Sequence, residues 1–171
     1  MASEGPRSAT LLLLVINLVL YFIIMLIASW AINHAIEKTH ESASILQTPA
    51  RIFPIYFPFG NMATGFFIIF SLLIGVIGIT TSLLGMFNVM QWNAASLYAA
   101  AASSLGTWAL TLLAMGLASK EIDIGYTDAN LRTLEVIMII VSGTQLLLTG
   151  AIHVSAESVA GIARRMIGGR V

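Results

Sequence analysis

The absence of charge from the middle of the chain is its most informative pattern. Between residues 52 and 119 there is no Asp, Glu, Lys, Arg or His. A membrane-spanning helix needs about 20 consecutive apolar residues, so this stretch holds two such helices and the connection between them. The polar run NVMQWN at 88–93 marks the connection, and its tryptophan is a residue type that favours the membrane interface. The pattern therefore predicts helices over 62–87 and 94–117.

Apolar stretches on either side predict two more spans. The uncharged run over 11–33 is longer than the core of a signal peptide, which has about 7–15 residues, so we interpret it as a retained first helix. A fourth helix is predicted over 134–156, with Glu135 and His153 near its two ends. The expected fold is an all-α integral membrane protein, a bundle of four transmembrane helices in a single domain over residues 1–171.

Composition favours the same interpretation. Of 171 residues, 58% are hydrophobic and 9% are charged, against about 25% charged in ordinary soluble domains. A soluble globule of this size cannot hide so much apolar surface, so the lipid bilayer is the expected partner. The formal net charge is zero, which gives no indication of nucleic-acid binding. Because the chain has no cysteine, disulfides and thiolate chemistry are excluded.

The connections between the predicted helices differ in character. The first, over 34–60, begins with charged residues and becomes rich in proline and aromatic residues, with FPIYFPFG at 53–60. Proline at that density cannot continue a helix, so we expect an extended segment that lies either on the membrane surface or over the bundle. The other connection, over 120–132, is predicted to be a short polar loop.

Four spans place both termini on the same side of the membrane. Basic residues divide equally between the two sides, because Arg7, Arg164, Arg165 and Arg170 are balanced by Lys38, Arg51, Lys120 and Arg132. Those on the terminal side cluster in the tail, whereas acidic residues dilute the others. The positive-inside rule then favours cytoplasmic termini.

Small residues recur at heptad spacing on the second and third predicted helices, which places them on one face of each helix. They are Ser71, Gly75, Gly78, Ser82 and Gly85 on the second, and Ala95, Ala99, Ala102, Gly106 and Ala109 on the third. Small residues let helix backbones approach closely in lipid, so we expect these two helices to pack as a hairpin. The alternatives are that the small residues line a narrow pathway or mediate dimer formation.

The fourth helix carries a line of polar residues at offsets of seven, three, four and four. These residues are Glu135, Ser142, Gln145, Thr149 and His153. Ionisable groups in a membrane usually face the bundle or a wet cavity, so Glu135 and His153 are candidates for a proton relay. The alternative is that both lie at the membrane interface, while the hydroxyls bond to neighbouring backbone.

No motif of an enzyme is present. The sequence contains neither a nucleophile elbow, an H-E-x-x-H helix nor a phosphate-binding glycine loop. His34, His40 and Glu41 match no spacing of metal ligands. We therefore expect no catalytic site, no metal and no cofactor.

Several segments resemble one plant family. They are ASWAIN at 28–33, FPIYFPFGNMATGF at 53–66, TWALTLLAMG at 107–116, LRTLE at 131–135 and TQL at 144–146. These segments look like the abscisic-acid-induced, nineteen-kilodalton plasma-membrane proteins first named from wheat. The resemblance covers residues 10 to about 155, and its proline-aromatic run is specific. It implies a four-helix plasma-membrane protein linked to drought, cold and seed dormancy, with carriage of abscisic acid into cells proposed for one member.

Two functions remain open at this stage. In the first, the protein facilitates transport of abscisic acid or a similar small weak acid, and the candidate binding residues are Arg132, Gln145 and His153, with Arg51 at the same mouth as Arg132. A homo-oligomer would then supply walls that four helices lack. In the second, the protein is a structural or accessory component that stabilises the membrane during dehydration or binds a larger transporter or pump. That role predicts an exposed helix face containing residues such as Phe66, Phe67 and Phe70.

Overall fold

The protein consists of four long helices, and no strand occurs among the residues that the structure describes. The structure is a computed structural model that describes residues 4–43, 62–125 and 129–168. Its helices are α1 (Glu4–Ala43), α2 (Met62–Gln91), α3 (Ala94–Ile124) and α4 (Ala129–Gly168). Each of them is long and apolar enough to cross a membrane. The prediction of an all-α membrane protein with four spans is confirmed.

The helices form an antiparallel ring. Each helix packs against its neighbours in chain order, and α4 closes the ring by packing against α1, whereas helices on opposite corners barely touch. One end of the bundle, here called the terminal end, holds the start of α1, the α2–α3 turn and the end of α4. The opposite end, here called the loop end, holds the end of α1, the start of α2 and the α3–α4 connection.

Local signals place the turns. Asn93 caps the start of α3, since its side chain accepts a hydrogen bond of 2.9 Å from the backbone N–H of Ser96. Gly125 ends α3 in the left-handed conformation, with φ of 76°, and its N–H is bonded to the carbonyls of Glu121 and Ile122. These signals fix where the chain reverses direction.

Helices continue into three regions that were predicted to be non-helical. α1 continues through residues 34–43, α3 and α4 include most of 120–132, and α4 extends through the tail to residue 168. None of these extensions contains proline, and a helix satisfies its own backbone hydrogen bonds beyond the bilayer as well as inside it. Charged residues therefore did not mark the ends of the helices. The proline-aromatic run at 53–60 lies outside the described residues.

The small residues of α2 are buried, but against α1. A side chain at Gly75 would meet Met25, one at Gly78 would meet the ring of Tyr21, and one at Gly85 would meet Leu14. Ser71 and Ser82, on the same face, are also buried. α2 and α3 do pack against each other as a hairpin, but not through these small residues. Their groove accommodates the larger side chains of α1 instead.

The small residues predicted to pack on α3 point outward. Ala95, Ala99, Ala102 and Gly106 are exposed, and a side chain at Gly106 would meet nothing within 4 Å. Their predicted packing role is wrong within this chain. The inward face of α3 carries instead Leu97, Ala100, Ala101, Ser104, Thr107, Thr111, Ala114 and Ala118. The run AASLYAAAASSLG at 94–106 is small on nearly every side, so spacing alone could not select the face.

Candidate functional site

Polar side chains lie along the middle of the bundle, and most of them are buried between the helices. Two groups of these side chains join several helices. The first, here called the hydroxyl network, contains Tyr21, Thr81, Ser104, Thr107, Thr111, Gln145 and Thr149. The second, here called the carboxylate pair, contains Glu121 and Glu135. A buried polar group destabilises the fold unless it finds a partner, so the partners of each group decide what it can do.

The hydroxyl network connects all four helices. The Tyr21 hydroxyl of α1 lies 2.9 Å from that of Thr111 on α3, and the Thr107 and Thr81 hydroxyls join α3 to α2 at 3.1 Å. Tyr21 is fully buried, so without Thr111 its hydroxyl would be a buried polar group with no hydrogen bond, which is destabilising. These contacts fix the register of α1 and α2 against α3.

α3 and α4 are joined by the second half of the network. The hydroxyl oxygens of Ser104 and Thr149 lie 2.7 Å apart, and the Gln145 amide donates to the Ser104 hydroxyl at 3.2 Å. The other amide atom of Gln145, its carbonyl oxygen, is buried and has no hydrogen-bond partner. A polar acceptor therefore faces the interior without a bond.

A cavity lies beside this amide. Leu14, Thr81, Ser82, Gly85, Ala100, Ser104, Gln145, Leu148 and Ile152 line it. Its volume is about 10 Å³, which is about the room that one water molecule needs. Sites for drug-sized ligands start at about 300 Å³, so in this conformation the cavity does not admit a hormone-sized molecule.

The carboxylate pair lies toward the loop end. Glu121 of α3 is 1% exposed and Glu135 of α4 is 4% exposed. The Thr64 hydroxyl of α2 donates to one carboxylate oxygen of Glu121 at 2.6 Å, while the other oxygen is buried without a hydrogen-bond partner. Glu135 interacts electrostatically with Glu121 and with Arg132. Two acidic groups from adjacent helices are thus buried in each other's field.

Neither member of the pair has an ion-pair partner within the described parts of the chain. The salt bridge found there joins Lys120 to Asp123 at 2.8 Å, and both of these side chains are exposed. No group of three or more His, Cys, Asp or Glu side chains suited to a metal occurs in those parts either. Among the described residues, the charge of the pair is offset only in part, by the exposed Arg132, which acts on Glu135.

The candidate residues inferred from sequence do not surround one site. Arg132 is exposed at the loop end, Gln145 is buried beside the cavity, and His153 is half-buried nearer the terminal end. The Nδ1 atom of His153 lies 2.9 Å from the backbone carbonyl of Thr149, so its contact is within its own helix. Glu135 and His153 are eighteen residues apart, which is about 27 Å along a helix, so the structure does not bring the two predicted relay residues together.

Sequence reasoning missed Glu121 and its partner Thr64. The sequence pattern places Glu121 in the predicted polar loop over 120–132, because it follows the long uncharged stretch. The signal that locates it is periodic: Thr107, Thr111, Ala114, Ala118 and Glu121 follow one another at offsets of four, three, four and three. Extending that face by one more turn places Glu121 inside the bundle.

Comparison with known proteins gives the same family as the sequence segments. The model of the AWPM-19-like family matches residues 15–155, a range that contains the whole hydroxyl network and the carboxylate pair. The chain belongs to the AWPM-19-like family. The membrane protein PM19L of Oryza sativa subsp. japonica is 42% identical to this AWPM-19-like chain over 156 residues, which cover 90% of the chain and 81% of the rice protein. No solved structure matches the chain.

Proposed function

We propose that this AWPM-19-like membrane protein facilitates the movement of a small weak acid across the plant plasma membrane, with abscisic acid as the expected cargo. The observation that carries the proposal is the buried polar core, in particular the two carboxyl groups inside helices that are otherwise apolar. Ionisable residues inside a membrane are expensive to retain, and they commonly belong to pathways for ions, protons or substrates.

The charge of the core selects the form of the cargo. A weak acid exists as an anion and as a neutral, protonated molecule, and the field of Glu121 and Glu135 repels the anion. Arg132, exposed at the loop end, provides a positive charge that attracts the anion at the entrance. Hydroxyl and amide groups such as those of Ser104 and Gln145 suit the neutral form, because they can bond to an undissociated acid without compensating a charge.

Passage requires a conformation more open than the one described. The cavity at Gln145 has room for about one water molecule, so α3 and α4 have to separate near Ser104 and Thr149 before a cargo enters. Opening it breaks the hydrogen bonds of Ser104 with Thr149 and Gln145. It also separates part of the apolar cluster beside them, which is formed by Ala100, Ala101, Leu148 and Ile152.

Uptake of labelled abscisic acid into liposomes that contain only the purified protein tests the proposal, with and without an inward proton gradient. We expect saturable uptake above that of empty liposomes, faster when the outside is acidic. Gln145→Leu is expected to slow uptake several-fold, whereas Leu147→Ile, a matched change on the exposed face of the same helix, is expected to leave it unchanged. Uptake equal to the leak of empty liposomes would rule out the transport function.

A second candidate function is favoured by a different observation. The small-residue face of α3, formed by Ala95, Ala99, Ala102 and Gly106, is uncovered in the single chain, and such faces accept another helix in lipid. An accessory protein that binds a larger transporter or pump under dehydration would use this face. Among the aromatic residues expected on an exposed face, Phe66 is exposed but Phe67 is fully buried.

Copurification from native plant membranes separates the two candidates. A stoichiometric partner protein that is lost when Ala99 and Gly106 are both changed to Leu, together with liposome uptake at the level of the leak, supports the accessory role. A solitary protein that transports the hormone supports the first proposal. Both proposals include a plasma-membrane location and cytoplasmic termini.

A further inference from the structure

The carboxylate pair is a chemical feature that no part of the fold requires. Glu121 and Glu135 lie on adjacent helices, close to the cluster in which Ala118 of α3 and Leu134 of α4 pack together. An apolar pair at these positions would fill the interface without cost in desolvation. Two acidic side chains buried near each other therefore suggest a ligand that stabilises their charge.

Two ionised carboxylates cannot both be accommodated there. One oxygen of Glu121 accepts a hydrogen bond from the Thr64 hydroxyl, but its other oxygen is buried without a partner, and a buried unpaired charge strongly destabilises a fold. The nearest charged groups do not compensate it. Arg132 is exposed and acts on Glu135, while Lys120 is engaged with Asp123 on the exposed side of α3.

The other helices supply no counter-charge at this level within the described residues. α2 contributes the neutral hydroxyl of Thr64. On α1, the described titratable side chains toward the loop end are engaged locally, since His34 stacks on Trp30 with ring centroids 5.1 Å apart and Glu37 accepts a hydrogen bond of 3.0 Å from Asn33. Among the described residues, the exposed Arg132 is the cation that acts on the pair, so the charge of the pair is only partly compensated there.

We propose that the buried pair of Glu121 and Glu135 binds one proton and forms a proton-binding site between α3 and α4. One bound proton removes one of the two charges and gives the acid that carries it an O–H donor. A divalent metal fits less well, because calcium requires six to eight oxygen ligands and this site offers two carboxyls and one hydroxyl. The site belongs to the bundle itself and needs no cargo. If the proposed transport function holds, it is where proton movement is coupled to transport, in place of the Glu135 and His153 relay.

An apolar carbodiimide tests the site directly. Dicyclohexylcarbodiimide reacts with a protonated carboxyl in apolar surroundings: the carboxyl oxygen bonds to the central carbon, the proton moves to a nitrogen, and rearrangement leaves a stable acylurea. We would treat the purified protein in lipid nanodiscs over a pH series and locate the product by mass spectrometry. The exposed Glu157 serves as the internal reference.

At neutral pH we expect about tenfold more product at the pair than at Glu157, because a neighbouring like charge favours the protonated form of one member. One product per chain is expected, and its yield falls as the pH rises. Glu121→Gln is expected to lower labelling of Glu135, and Glu135→Gln that of Glu121, since the remaining carboxyl loses its charged neighbour. Glu157→Gln, the matched control, is expected to leave labelling of the pair unchanged.

Three results would overturn the proposal. They are labelling of the pair no greater than that of Glu157, unchanged labelling of one member when the other is made neutral, and protection by sodium ions at constant pH, which would assign the site to a cation. Infrared spectroscopy of the unaltered protein provides a measurement that does not depend on folded variants. A band of an undissociated carboxyl group at neutral pH is expected, and its absence would equally overturn the proposal. None of these measurements involves abscisic acid, so failure of the transport assay leaves them informative.

Discussion

At the scale of single residues, the closest fit in the bundle is between Gly78 and Tyr21. A side chain at Gly78 would overlap the Tyr21 ring, which is fully buried and held by its bond to Thr111. Gly78→Ala is therefore expected to destabilise the protein by about 1–3 kcal/mol through overpacking. The midpoint of thermal unfolding of the purified protein in detergent measures the effect.

Gly143→Ala is the matched control, because a side chain at Gly143 would meet nothing within 4 Å. Alanine is a better helix former than glycine by about 1 kcal/mol, so this variant is expected to unfold at an equal or higher temperature. If the two variants shifted the midpoint in the same direction and by the same amount, the close contact between Gly78 and Tyr21 would be refuted.

Single residues also show what the sequence could and could not indicate about the site. The inward positions of Glu135 and Gln145 followed from the polar line along the fourth helix, since offsets of three, four and seven define a face. Glu121 was missed because a charge after a long apolar run was taken to mark the membrane surface. Which hydroxyls meet, such as Tyr21 with Thr111, depends on how helices are rotated against one another, and no single helix encodes that.

At the scale of helices, the small residues of α2 mark a close contact, but not its partner. Their spacing defined a buried face, and the structure buries all five of them. The choice of α1 over α3 depends on whether the facing side chains fill the groove, as Met25, Tyr21 and Leu14 do. The same spacing on α3 was uninformative because small residues surround that helix.

Cross-linking distinguishes the two partners. Because the chain has no cysteine, Met25→Cys with Gly75→Cys introduces the only two thiols. A side-chain carbon at Gly75 would lie 3.0 Å from that of Met25, so a small relaxation brings the pair to the separation of about 3.8 Å typical of a disulfide. We expect mild oxidation to join them, detected as a loss of free thiols and as cross-linked peptides after proteolysis.

The control pair is Gly75→Cys with Ala109→Cys, two positions at about the same level of the α2–α3 hairpin that would be close if the two helices packed through their small faces. Ala109 is exposed on α3, so this pair is expected to retain its free thiols at low protein concentration. Cross-linking of the control pair, with no reaction between positions 25 and 75, would contradict the arrangement of the ring.

At the scale of the whole molecule, an antiparallel ring of four spanning helices allows one topology. The terminal end and the loop end must lie on opposite sides of the membrane, with the end of α4 on one side and the α3–α4 connection on the other. Sequence patterning predicted this arrangement because every span was long and carried few or no charged residues. Which end faces the cytoplasm depended on a near-balanced count of basic residues.

Thiol labelling in intact cells determines the orientation of the protein in the membrane. It therefore also determines from which side of the membrane a cargo would meet the carboxylate pair. Asp123 and Glu157 are exposed near the loop end and the terminal end respectively, so Asp123→Cys and Glu157→Cys place single thiols at opposite ends of the bundle. Cytoplasmic termini predict that a membrane-impermeant maleimide labels position 123 from outside and labels position 157 only after the cells are permeabilised. The reverse pattern would place the carboxylate pair nearer the cytoplasm, and protons would then enter the site from within the cell. Labelling of both positions from outside would contradict the four-span topology, since one helix would fail to cross.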